Sequence, residues 1–271
     1  MTVTPPAEFD LVGDLVARDR RSDRLALRAA EFDRTYSYFD LCNTACKAGN
    51  VLRHLGVREG DRVVVDPIAA PEPVLTFLGA ALLGAVTEFD ADPGGDTDAH
   101  AVVVPVGRED EFDLPGGSSL CVFGGEPDRP GTTHWEAEVW SENPAFPPTA
   151  HEAAAPVLRG TASEDPTDAA RTRSHADLLA AAGDAAAALG LDADARVAVR
   201  APLSDPRTVA AGVIAPLAAG GTVALPDRDA ALDAEGDPDG DPGTTAAVVA
   251  EGRAAPEARA LALEAVSFPS P

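Results

Sequence analysis

Two related α/β halves, each a doubly wound, flavodoxin-like unit, are predicted by three observations. The chain repeats itself internally over a long distance, its short valine-rich runs lack polar alternation, and its amphipathic stretches end at glycine. The repeat is the strongest of these. Asp40-Leu41 opens a helical stretch to Leu55-Gly56, followed by Arg62-Val63-Val64-Val65, a proline turn, Pro73-Val74-Leu75 and Gly84-Ala85-Val86 before Asp90. Asp177-Leu178 opens a second passage to Leu189-Gly190, then Arg196-Val197-Ala198-Val199, a proline turn, Pro206, Val209 and Gly220-Gly221-Thr222-Val223 before Asp227. Ala101 to Arg108 and Ala246 to Arg253 extend the match. A repeat this long points to two copies of one α/β unit, because solenoid repeats are much shorter.

Each copy follows from local physics. Leu41, Ala45, Ala48, Leu52 and Leu55 recur at three- and four-residue steps, as do Leu178, Leu179, Ala182, Ala186 and Leu189. Such a stripe makes a helix with one apolar face. Gly56 and Gly190 then stand where a left-handed helix terminus favours glycine. The valine-rich runs read as strands covered on both faces, the mark of a parallel sheet. Pro73 to Leu83 and Pro206 to Ala219 read as crossover helices returning to strands at Val86 and at Thr222 to Leu225. The halves are expected over 1–140 and 141–271. A proline- and glycine-containing linker with one or two strands is expected near 124–156, and a flexible acidic loop at 227–243.

Charge narrows the function classes. Asp and Glu number 45 against 21 Lys and Arg, a formal net charge of -24, and Lys47 is the only lysine. Acid excess with lysine nearly erased is expected of a protein that works in molar salt. There the Debye length is about 3 Å and the acidic surface no longer repels itself. An acidic protein from a GC-rich, alanine-rich background is the alternative. Either surface repels phosphate backbones and anionic lipid, so neither nucleic acid nor membrane is an expected partner. The apolar runs are too short for a membrane span, the first residues lack a secretion signal, and three cysteines cannot all pair. A soluble, cytoplasmic protein is the expectation.

Tyr36-Ser37-Tyr38-Phe39-Asp40-Leu41, Leu52 to Val63 (Leu-Arg-His-Leu-Gly-Val-Arg-Glu-Gly-Asp-Arg-Val) and Leu82-Leu83-Gly84-Ala85-Val86 follow a known order of blocks. They resemble the opening of acyl-CoA synthetases and related adenylate-forming (AMP-binding) ligases. Ser174-His175-Ala176-Asp177-Leu178-Leu179 and Ala215 to Val223 are similar to the blocks that follow the phosphate loop in that family. The resemblance covers about residues 10 to 250 and implies the N-terminal domain of such a ligase; no cofactor is assigned to this chain, and ATP or AMP with Mg²⁺ is what the family would bring.

The same comparison implies lost chemistry. The family's phosphate loop is rich in Gly, Ser and Thr, so that backbone N–H groups approach the phosphates, and it carries a lysine. The aligned stretch here is Arg159-Gly160-Thr161-Ala162-Ser163-Glu164-Asp165-Pro166-Thr167-Asp168-Ala169-Ala170-Arg171. Gly160, Thr161, Ser163 and Thr167 are the remnants that would bind nucleotide. Glu164, Asp165 and Asp168 would stand beside a triphosphate, where like charges 4 Å apart repel by about 4 kcal/mol at an effective dielectric near 20. Arg171, Arg173 or Mg²⁺ could compensate. The family's mobile C-terminal domain, with its catalytic lysine, is expected to be absent, so no catalytic residue is assigned.

The remaining candidates are weaker. Cys42 and Cys46 share a helical face and could chelate a metal with Cys121 or His54, but two small packed side chains explain them better, and no metal is expected. His134-Trp135 and Trp140 offer a stacking surface or, more simply, aromatics that pin a linker. His175 reads as a structural position, and no Gly-x-Ser-x-Gly elbow accompanies it. The expected role is a degenerate, non-catalytic binding or regulatory subunit, holding a nucleotide or acyl ligand between its halves or pairing with a full-length synthetase. A residual carboxylate-activating ligase completed by a separate C-terminal domain, and a vestigial protein without ligand, stand as alternatives.

Overall fold

The computed structural model describes residues 9–94, 97–147, 149–160, 172–227 and 243–269. An N-terminal hairpin, β1 (Leu25–Ala29) and β2 (Arg34–Ser37), leads into α1 (Tyr38–His54). Then come β3 (Arg62–Val65), α2 (Pro71–Leu83), β4 (Val86–Phe89), β5 (Ala101–Pro105), β6 (Ser119–Phe123), β7 (Thr133–His134) and α3 (Trp135–Ser141). A second hairpin, β8 (Pro156–Arg159) and β9 (Thr172–Ser174), leads into α4 (His175–Leu189) and β10 (Arg196–Arg200). The next helix, α5, runs from Pro206–Thr208 through a π-helical stretch, Val209–Ile214, to Ala215–Ala218. β11 (Thr222–Leu225), β12 (Ala246–Val249) and β13 (Ala260–Ala262) complete the strands. The π stretch has a local cause. Pro216 has no N–H for the Gly212 carbonyl four residues back, and a widened turn relieves the ring's clash with that carbonyl.

Both helices that open a half are capped alike. Ser37 Oγ accepts from the Asp40 N–H and the Asp40 carboxylate accepts from the Ser37 N–H; Ser174 and Asp177 do the same for α4. This reciprocal box satisfies two otherwise orphaned donors at each helix start. At the other end, Gly190 adopts φ +57° and Gly56 φ +96°, the left-handed conformation expected there.

The strands form two parallel-rich sheets, so the fold is mixed α/β. The first has the order β7-β6-β5-β3-β4-β8-β9, the second β13-β12-β10-β11-β1-β2. All pairs are parallel except the two hairpins. The hairpins are exchanged. β1 pairs with β11 (Leu27 opposite Val223), although its hairpin precedes α1, and β8 pairs with β4 (Leu158 opposite Thr87), although its hairpin precedes α4. Each sheet therefore draws strands from both sides of residue 140. The first helical residue of α1 also reaches across: the Tyr38 hydroxyl donates to the Gly221 carbonyl at 2.8 Å.

Buried residues of all five described helices belong to one core shared by both sheets, with Val63, Val65, Leu27, Val197 and Val199 among its strand members. The outer face of the first sheet is closed separately by Phe112 and the chain around Val106 and Leu114, and that of the second by Ala255 and Ala262. The 124–156 stretch contains α3, a helix the proline-rich composition hides. Trp135 and Val139, four residues apart, are buried on one of its faces. No helix among the described residues is long and apolar enough to cross a membrane.

Candidate functional site

Gly160 is buried and directly follows β8, whose partner β4 runs parallel to it. The 161–171 connection thus leaves from the carboxyl edge of the first sheet, the edge at which open α/β sheets hold ligands. Thr161, Ser163 and Thr167 lie outside the described residues, as do Glu164, Asp165, Asp168 and Arg171. The acidic 227–243 stretch is described only at its two ends.

The cations flanking that connection are already engaged. Arg159 Nε lies 3.6 Å from Glu88 Oε1, while Arg62 Nη1 donates to Glu88 Oε2 at 3.1 Å. Arg173 is buried, its guanidinium 4.2 Å from the centroid of the Phe268 ring. Further along the edge, Arg108 Nη1 donates to buried Asp66 at 2.6 Å and also pairs with Glu111. These bonds, Glu111 foremost, hold the Arg108 guanidinium above its ordinary range and the Glu111 carboxyl below its own. Arg159 or Arg173 could turn to a triphosphate here only by giving up its present contact.

A second group of residues joins the strand hairpin of the second sheet to α2. Arg34, on the exchanged strand β2, pairs with buried Glu72 in the first turn of α2 and donates to the Tyr36 hydroxyl. Burial pushes the Glu72 carboxyl up in spite of Arg34, and burial likewise pushes the Tyr36 phenol up to about 12. A crevice of about 520 Å³ opens beside them, lined by Tyr36, Asn43, Lys47, Trp135 and Trp140 among others. Its size is that of a small-molecule site. Sequence reasoning missed Arg34 and Glu72. The available signal was Glu72 itself, the one charged residue in the run from Ile68 to Leu83.

The other candidates resolve toward structure. Trp135 Nε1 donates to Thr76 Oγ1 at 3.0 Å, pinning α3 to α2, whereas Trp140 is 86% exposed. His134 Nε2 lies 3.3 Å from Glu136. Cys42, Cys46 and Cys121 are free and buried, and burial raises each thiol. Among the described residues no group of His, Cys, Asp and Glu has the arrangement of a metal site.

His175 is fully buried and its Nδ1 accepts a hydrogen bond from the Val12 N–H at 3.1 Å, tying the N-terminal segment to α4. Burial, with His151 nearby, pulls its imidazole down to about 4. An unfolded histidine takes its proton near 6.5, so between about pH 6.5 and 4 the unfolded chain binds the extra proton. Stability from this residue is therefore complete above pH 6.5 and is lost on acidification. The expected loss reaches about 2 kcal/mol by pH 5. Urea midpoints at pH 7 and 5 check this. His175→Asn, which keeps an acceptor for Val12 but does not titrate, should lose less between the two.

Comparison with known proteins places this geometry. Residues 16–89 match the AMP-binding enzyme family. An acetyl-coenzyme A synthetase of Deinococcus radiodurans is 45% identical over 53 residues, 20% of this chain and 8% of that protein. An anthranilate CoA ligase bound to anthranoyl-AMP superposes with TM-score 0.74 at 19% identity, over 91% of this chain and 50% of the ligase. The N-terminal domain of FACL13 from Mycobacterium tuberculosis superposes with TM-score 0.70 at 16% identity, over 91% of this chain and 70% of that domain. The chain thus spans about half the length of the full ligase.

Proposed function

We propose that this chain, a member of the adenylate-forming superfamily corresponding to the N-terminal part of its ligases, serves as a binding or regulatory subunit and does not adenylate a substrate by itself. The observation that carries this reading is the composition of the 159–171 stretch, where Glu164, Asp165 and Asp168 occupy a segment that needs small residues and a cation. The engagement of Arg159 by Glu88 and of Arg173 by Phe268 supports it, because neither cation offsets those acids without giving up a contact. Lys47, the chain's single lysine, lies on α1 with its Nζ donating to the Trp140 carbonyl at 3.3 Å. Such a subunit would work in the cytoplasm at high salt, paired with a full-length synthetase or a separately encoded C-terminal domain.

A second reading is favoured by the remnants Gly160, Thr161, Ser163 and Thr167, which still offer backbone and hydroxyl donors at the carboxyl edge. In that reading the chain is half of a split ligase, activating a small carboxylate with Mg-ATP once a partner supplies a lysine. Carboxylate-dependent ATP–pyrophosphate exchange separates the two readings. The chain alone is expected to give none above background, and addition of a C-terminal ligase domain restores exchange only in the second reading.

A further inference from the structure

At the opposite edge of the first sheet lies a crevice of about 580 Å³, bounded by the N-terminal segment, α1, the end of α2 and the strap at 143–151. Its walls are largely apolar, with Val16, Cys46, Ala81, Leu82 and Phe146 among them. Hydrogen bonds tie the strap to α1 and α2, while His151 Nδ1 is buried without a hydrogen-bond partner, 3.3 Å from Glu59. Asn50 Nδ2 donates to the Asn143 and Ala145 carbonyls at 2.9 and 3.0 Å, and Thr149 Oγ1 donates to the Leu82 carbonyl at 2.8 Å.

The crevice's cations are different. Arg18 and Arg21 both line it, and among the described residues neither forms an ion pair with a carboxylate. The one acid on the wall, Asp14, is turned to the Asp10 and Leu11 N–H groups. Arg21 Nη2 reaches the Pro144 carbonyl at 3.3 Å and the guanidinium stands beside the Cys46 thiol and 6.0 Å from the Phe39 ring centroid, but its Nε is buried without a hydrogen-bond acceptor. A buried guanidinium donor left over in this way costs stability until an acceptor arrives. We infer that this crevice is a binding site for an amphiphilic monoanion, its charged head on Arg21 with Arg18 at the rim and its apolar body along Val16, Ala81, Leu82 and Phe146. Apolar walls with one half-buried guanidinium suit a single anionic head better than a phosphate dianion, which would leave charge against hydrocarbon. The crevice lies toward the amino end of β4, into which α2 leads, whereas Gly160 follows the carboxyl end of the parallel strand β8.

The test uses octane-1-sulfonate, which has the head and tail but no carboxyl to activate, and octanol as its uncharged counterpart. Calorimetric titration of the full chain, at the lowest salt that keeps it folded, is expected to show octanesulfonate binding at least about tenfold more tightly than octanol, a 1.4 kcal/mol preference. Arg21→Gln should weaken octanesulfonate by about tenfold or more, as loss of a charged hydrogen bond does. Arg18→Gln, at an exposed position, should cost about threefold. Mg-ATP should not compete. Equal affinity for octanol, an unaffected Arg21→Gln variant, or displacement by Mg-ATP would overturn the assignment. If Arg21→Gln does not fold, the sulfonate-to-octanol ratio in the parent chain decides.

Discussion

Gly79→Ala is expected to destabilise the chain by about 3 kcal/mol, the upper part of the range for overpacking. A Cβ at Gly79 would lie 2.6 Å from the Gly49 nitrogen and 2.9 Å from the Ala45 carbonyl oxygen. Both are backbone atoms of α1, so no side-chain rotation relieves the clash and the two helices must move apart. They lie in the core shared by both sheets, and their separation loosens both. The reverse contact is as tight. A Cβ at Gly49 would lie 2.9 Å from the Gly79 carbonyl oxygen and 2.9 Å from the Phe146 ring. Alanine's helix propensity, about 1 kcal/mol better than glycine's, works against this loss and is outweighed. Gly183 provides the internal control. It is exposed on α4, and a Cβ there would meet nothing within 4 Å, so Gly183→Ala should gain up to about 1 kcal/mol. Urea midpoints for the two variants should therefore move in opposite directions, and equal midpoints for Gly79→Ala and the parent would contradict the close crossing.

Glu257→Ala should be more damaging, about 3–5 kcal/mol, because it breaks a buried ion pair by removing one partner. Arg200, at the carboxyl end of β10, donates from Nε and Nη2 to Glu257 Oε1 at 3.0 and 2.8 Å. The two side chains are 7% and 2% exposed. The pair anchors the chain between β12 and β13 onto the second sheet. Removing the carboxylate leaves a buried cation without the Glu257 bonds. Replacing both partners together, as Arg200→Met with Glu257→Leu, should recover much of the loss, since a well-packed apolar pair often matches a buried ionic one. The effect should also persist in concentrated salt. The exposed pair Arg24–Asp194 is screened there and contributes little, whereas Arg200–Glu257 is shielded from ions. Thermal melts across a KCl series would check both points.

The parts of the fold visible in the sequence are those set by neighbours in the chain. Helical stripes, valine runs and the terminal glycines Gly56 and Gly190 act within a few positions, and the repeat doubles each signal. The exchange of hairpins was hidden because it depends on pairings such as Leu27 with Val223, far apart in the chain and without a local pattern. The closeness of Gly49 to Gly79 was hidden for the same reason, since either glycine alone reads as a weak point in a helix. Helix α3 was masked by the prolines around it, although Trp135 and Val139 carried its spacing. At the site, the resemblance to adenylate-forming ligases marked the 159–171 stretch, and topology adds that the connection departs from a carboxyl sheet edge. The Arg34–Glu72 pair, by contrast, needs two distant segments and could be found only in three dimensions.

The central claim is that this scaffold holds the superfamily's shape without its first half-reaction. It is met most directly by ATP–pyrophosphate exchange on the purified chain, in molar KCl with Mg²⁺ and a panel of short and medium carboxylic acids, with folding verified in the same buffer. The account predicts exchange at background for every acid. Exchange above background that depends on an added acid would contradict it, and would make the 159–171 stretch, acids included, a working phosphate loop.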